Sequence, residues 1–519
     1  MTKLNNIKKN QTGSMLLTVI VLSSLFLVIF LGSISLGLLR IKLNKQNIAK
    51  DEAAHIAEAG VNYYRWILYH DEEHYFNTLS CDYDIDCDIG TSTYNDPFNP
   101  SGIKGKYHLT VHTPKKNGSS VVTVTSVGWT NNYPEIKKTI EVKIGKKSWS
   151  AYSILSNSAI KINSNDEIYG KIHSNSGVRV DGIAHNIVSS SVKKYFDTEH
   201  CGAEEYGVHT HAYEISGGCN CPTSPNNCDP DEQYDDAQFI AGTMPNNYSN
   251  IFRAGRSFPS PTISFNIIND SISDMMELAD TTDGDIIDSS LCSGDCDEGF
   301  QIILNNNNYS VNKVQTTNCD GTNPVTTSSL SGSPFTYPAN GIILVKDRDK
   351  VWINDISINN SIENNRITIL AFNGAIDQGN ANILINNNIT YANSNGSEAI
   401  GLIAQNNIII NHCFPNNTLQ IDAAMISKKG KIMADSVDPI KNNLIINGSI
   451  ATYDGFIFYN KLEKTCCDSW CIFWWNWYDC PEYYGFSNTE INYDPHLTYN
   501  PPPHFPTTGE YTFISWKEY

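Results

Sequence analysis

The chain has 519 residues, 40% hydrophobic and 18% charged, with a formal net charge of −19. This length suits roughly two to four domains, and the composition excludes both a disordered tail and a multi-span membrane protein. The acidic balance argues against nucleic acid as a partner and suits a solvated exterior protein with divalent cations as ligands.

Residues 1–13 are polar and basic, carrying Lys3, Lys8 and Lys9. From Ser14 to Leu39 the chain is apolar and uncharged, long enough for the roughly 20 residues that a membrane-spanning helix needs. A secretory signal has an apolar core of only ~7–15 residues, so 14–39 reads as a transmembrane helix that meets the bilayer through residues 15–39. Residues 40–68 lack proline, and Ala49, Ala53, Ile56, Gly60, Tyr64 and Leu68 recur at three- and four-residue spacing. That spacing marks one face of a helix. The helix is therefore predicted to continue outside the membrane to about residue 70, spanning about 80 Å from Ser14 to Leu68 at ~1.5 Å per residue.

A short basic leader, a Gly13–Ser14 junction, an apolar stretch and an amphipathic helix containing Ala57-Glu58-Ala59-Gly60 resemble the type IV prepilins. The likeness is to minor pilins with a PilX-type N-terminus, and also to the large pseudopilin of type II secretion. It covers about the first 70 residues. The resemblance implies a prepilin peptidase that cuts after Gly13 and leaves Ser14 as a methylated N-terminus. It implies other pilin subunits as partners in a filament. It also implies a single-pass inner-membrane precursor of a bacterial surface protein, with the bulk of the chain outside the cytoplasm. Major pilins carry glutamate at the fifth mature position, where this chain has Thr18, and usually begin with Phe rather than Ser14. Those departures imply a capping or low-copy subunit. The plain alternative is an uncleaved anchor: Arg40, Lys42 and Lys45 follow the span as Lys3, Lys8 and Lys9 precede it, so charge does not orient it.

Residues 71–104 read as a loop in which Cys81 and Cys87 close a small ring. Three β-branched, alternating runs follow at 105–112, 119–129 and 136–145. They predict an antiparallel meander, and with the helix a pilin-like α+β unit whose sheet region is 71–147. From 148 to 460 short Ile, Val and Leu runs alternate with Asn, Ser and Gly. An all-β body built as a parallel β-helix or solenoid is predicted, with Asn at tight corners that need left-handed backbone angles. Ile353, Ile369 and Ile385 are 16 residues apart, but Ile409 follows 24 later, so no strict repeat holds. A β-sandwich is the alternative. A Cys-rich insertion is expected at about 190–340, with a short helix near Ser273–Ala279. Residues 461–519 form a Cys- and Trp-rich C-terminal segment with a closing strand that returns the chain to the pilin-like sheet.

Asp280, Asp283, Asp285 and Asp288 put four carboxylates in nine residues. They form a candidate calcium site whose alternative is a solvated acidic loop. His70 to His74 resembles a zinc-protease motif only superficially, because Asp71 stands where a glutamate base is required. Cys201, His209, His211, Cys219, Cys221 and Cys228 are ligand types for zinc, although disulfides suit an exported protein better. Trp470, Trp474, Trp475 and Trp477 form a candidate contact patch for surface glycans or a partner, or fill a stapled loop. No catalytic residue is assigned. The readings in play are an adhesive minor pilin-like subunit, an anchored polysaccharide lyase or hydrolase using Asp355, Asp377 or Asp422, and a plain anchored surface protein.

Overall fold

The computed structural model describes residues 12–96, 99–114, 120–197, 203–212, 248–292, 299–317, 325–330, 332–346, 350–355, 365–393, 395–410, 417–435, 440–462, 465–467, 477–479 and 482–519. The chain divides into two compact units. The first holds the residues up to Thr113, Val122–Ile144 and Phe513–Tyr519, and the second holds Pro114–Val121 and Gly145–Thr512.

In the first unit one helix, α1, runs from Thr12 to His70 without a break. Its second half lies on an antiparallel sheet in the order β1 (Asp86–Asp96), β2 (Asn99–His112), β3 (Val122–Thr130), β4 (Tyr133–Ser148), then the closing strand Thr507–Glu518. Every second residue of β3 is buried, the signature of a strand with one face against a helix. Ala49, Ala53, Ile56, Gly60, Tyr64 and Leu68 are all buried, as are Ala57 and Val61 between them. Thr139 and Tyr519 exchange backbone hydrogen bonds of 3.4 and 2.9 Å, which fastens the end of the chain to β4.

The segment 71–104, expected as a loop, contains β1 and the start of β2. The strand DCDIGTSTYND has few apolar residues because it lies at the sheet edge, so no hydrophobic alternation marks it. Cys81 and Cys87 are disulfide-bonded at the point where β1 begins.

The second unit is β-rich, with many parallel strand pairs. One stack runs Ile342–Lys346, Arg366–Phe372, Ala399–Ala404, Thr418–Ser427, Lys441–Thr452, each parallel to the last. The next strand in the stack comes from the beginning of the unit: Ile450 pairs with Ile154. From there Ile154–Ser156, Ile172–Ser174, Val188–Ser190 and Arg256–Ser257 complete it. A second stack takes the strands between: Phe300–Leu304, Lys350–Asp355, Asn382–Ile385, Ile408–Ile410, Ile432–Ala434 and Phe456–Ile457. Ile353 pairs with Ile385, while Ile369 belongs to the other stack. The 16-residue step in the sequence is therefore a step between stacks. Part of the expected insertion joins the stacks directly, through Arg256–Ser257 and Phe300–Leu304.

Helix Ile267–Ala279 covers the outer face of the first stack. Its Ile268, Ile272 and Met275 pack with Leu344, Leu370, Ile403 and Phe505. The Pro-rich stretch lies on the same face, where Thr368 Oγ1 donates to Pro503 O and the Arg366 guanidinium donates to Asn500 O and Pro501 O.

Asparagines stand at corners between strands, as at Asn406 and Asn407, but without the left-handed angles expected there. Among the described non-glycine residues, left-handed φ angles occur at Ser80, Asp84 and His504. Asparagines also form ladders along the stacking direction. Asn488 Nδ2 donates to Asn443 Oδ1 (3.1 Å), Asn492 Nδ2 to Asn447 Oδ1 (3.0 Å), and Asn406 Nδ2 to Asn382 Oδ1 (3.1 Å). An amide both donates and accepts, so identical side chains one strand apart satisfy each other.

Candidate functional site

The N-terminal half of α1 is apolar on every side and lies free of the sheet. Met15 is 77% exposed and Phe26 75%. Helices of this kind are stable in a bilayer or packed among other apolar helices. Ser23, Ser24 and Ser33 are satisfied within the helix, donating to the carbonyls of Ile20, Val21 and Ile29. That is what a lipid environment requires. Gly13 and Ser14 lie in the first turn of α1.

The other half of α1 is seated closely. A Cβ added at Gly128 would come within 2.4 Å of Ala53 O and Ala57 N, and one at Gly60 within 2.5 Å of Ser126 Oγ. Small residues on both partners thus let the helix backbone approach the sheet. Arg65 stacks over Phe513 of the closing strand, 4.7 Å from the ring centre, so the last residues of the chain help to grip the helix. Burial pushes the Tyr64 phenol well above its usual range, with the Asp71 charge adding to the shift.

The candidate calcium residues follow helix Ile267–Ala279. Asp280 and Asp283 are exposed, Asp285 accepts from Tyr309 Oη at 2.7 Å, and Asp288 accepts from Ser290 N at 2.9 Å. Among the described residues, the metal-capable group with ligand atoms all within 4.8 Å is Asp197, His209 and His211. The sequence had singled out the two histidines there but not Asp197. Trp470, Trp474 and Trp475, with Cys201, Cys219, Cys221 and Cys228, lie outside the described residues. Trp477 begins a short strand paired with Thr465–Cys467.

Of the carboxylates weighed for catalysis, Asp377 is exposed and paired with Lys428. Asp422 is buried and accepts from Gln420 Nε2, Tyr391 N and Asn447 Nδ2 at 2.7–3.0 Å. Burial raises its pKa, and those three donors oppose the rise. Asp355 ends a strand of the second stack. At the close of α1, His70 bonds to Trp66 O while His74 starts a separate short helix, so the two do not share a helix face.

No known protein family matches the chain, and no curated protein matches it. Among solved structures, the competence-associated pilin ComZ from Thermus thermophilus is similar over 91% of this chain and 98% of its own, at 12% identity and a TM-score of 0.27. A likeness of that size establishes no function.

Proposed function

We propose that this chain is a minor pilin-like subunit of a type IV pilus-like surface filament. In this reading a prepilin peptidase cuts between Gly13 and Ser14. The freed apolar half of α1 then passes from the membrane into a core of like helices, and the β-rich body meets the outside. One observation carries the reading: a 59-residue helix, apolar and exposed all round in one half, seated by a single small-residue face on an antiparallel sheet in the other. A plain anchor needs only the first half. We read the alternating parallel stacks as turns of a parallel β-helix, serving adhesion rather than catalysis. The engagement of Asp377 by Lys428 and of Asp422 by three donors favours structural roles for both. The tryptophans at 470, 474, 475 and 477 are the proposed contact patch for a surface glycan.

The test is N-terminal mass spectrometry on protein recovered from cells co-expressing a prepilin peptidase. A mature chain starting at Ser14, methylated or not, is expected. A chain still carrying residues 1–13 overturns the filament reading and leaves an anchored surface protein.

A further inference from the structure

We infer that Asp197, His209 and His211 bind one divalent first-row cation of the zinc class. The site is made by strand geometry. His209 ends the strand Val208–His209, which runs parallel to Val178–Val180, with His209 beside Arg179. His211 follows two residues later, and residues two apart on extended chain face the same side. Asp197 ends the strand Lys194–Asp197, which forms an antiparallel hairpin with Ala203–Tyr206 just before the histidines.

Four observations point to a cation. His209 is completely buried, and neither of its ring nitrogens makes a hydrogen bond. An imidazole left so in an interior loses its hydration without compensation. Its Nε2 stands 3.5 Å from Asp197 Oδ2, too long for a good hydrogen bond. That spacing matches the ~3.4 Å edge between two ligand atoms of a tetrahedral ion with bonds of about 2.0–2.2 Å. Finally, the ligand atoms of Asp197, His209 and His211 all lie within 4.8 Å of one another.

Two imidazoles and a carboxylate are borderline ligands of the kind zinc takes, and three protein ligands leave a fourth position open. The outer contacts hold the ligands in place. Arg179 bonds to Asp181 at 2.9 Å and reaches Asp197 Oδ2 at 3.4 Å, while Asp181 accepts from His211 N at 2.9 Å. Such contacts orient metal ligands. The cation ties the hairpin to the strand beside it.

The test is a titration of untagged full-length protein in detergent, stripped with EDTA, with Co(II) and then Zn(II). One equivalent of Co(II) is expected to give the visible bands of a tetrahedral nitrogen–oxygen site, without thiolate charge transfer, and Zn(II) is expected to displace it. His209→Gln should abolish the bands. If that variant does not fold by circular dichroism, Asp197→Asn carries the same test with a smaller change. Absence of the bands in the wild type overturns the proposal. So does a sulfur charge-transfer band, or unchanged binding in a folded variant.

Discussion

At the scale of single residues, the edge of the first unit's sheet is governed by imidazole–carboxylate pairs. Asp84, Asp86 and Asp88, an alternating acidic run by sequence, face histidines of β2. His112 Nδ1 lies 2.8 Å from Asp86 and its Nε2 3.1 Å from Asp84, and His108 lies 3.3 Å from Asp88. The hydrogen bond to Asp86, above all, raises the pKa of His112 above its usual value of 6.5. A histidine raised in the folded state adds stability that is complete below its unfolded pKa, and that stability is lost as pH rises through the folded one. The β1 edge is therefore expected to hold more firmly at pH 6 than at pH 8.5. Exchange of the His112 C2 proton, followed by mass spectrometry, should titrate with a midpoint above 6.5, and Asp86→Asn should lower it. An unshifted midpoint in the wild type refutes the pairing. The aspartates are two apart in the sequence, but their partners lie 20 to 28 residues away, and only strand register brings them together. The same limit hid Asp197 from the His209–His211 pair, because an i, i+2 spacing is local and a hairpin contact is not.

Among the elements, α1 was the most legible. Its two halves obey the simplest rules, unbroken apolarity and then a three–four repeat, and both are readable without tertiary contacts. How closely it sits on the sheet was not readable, because Gly128 looks like an ordinary strand glycine until the helix backbone is found against it. Gly128→Ala should force α1 away from β3 and lower stability by about 1–3 kcal/mol, as overpacking does. A thermal melt of the full-length protein checks it, and an unchanged midpoint contradicts the close seating. The 16-residue step failed for a different reason. Periodicity counts residues between similar positions, and here similar positions alternate between two stacks, joined by connections of unequal length. Asparagine misled in turn, since the same residue type serves corners and ladders.

For the whole molecule, the informative feature is the order of strands in the larger stack. The chain joins it in the middle at Ile154, runs to one end at Arg256–Ser257, and returns through helix Ile267–Ala279. It resumes at Asp285–Ile287 and works back until Lys441–Thr452 lies beside the strand it began with. The place where it leaves adjoins the place where it joined: Trp149 N donates to Pro506 O, and Ser150 Oγ donates to Leu497 O. The sequence showed short apolar strands but not this order, since no local signal tells a strand which turn it rests on. Ile450 is fully buried at the junction. Ile450→Asp, an unpaired buried charge, should cost about 3 kcal/mol or more. Limited proteolysis should then cut early on both sides of the junction, among residues 154–257 and 418–452. Early cutting on one side alone contradicts the shared junction.

That junction also sets a clock. Ile154 waits for a partner 296 positions later, and closing so long a loop costs about 5 kcal/mol beyond a constant. A stack that grew in sequence order would zip up as it was synthesised. This one cannot be completed until Lys441–Thr452 has been made, so the Ile154 edge of its early turns stays unpaired until then.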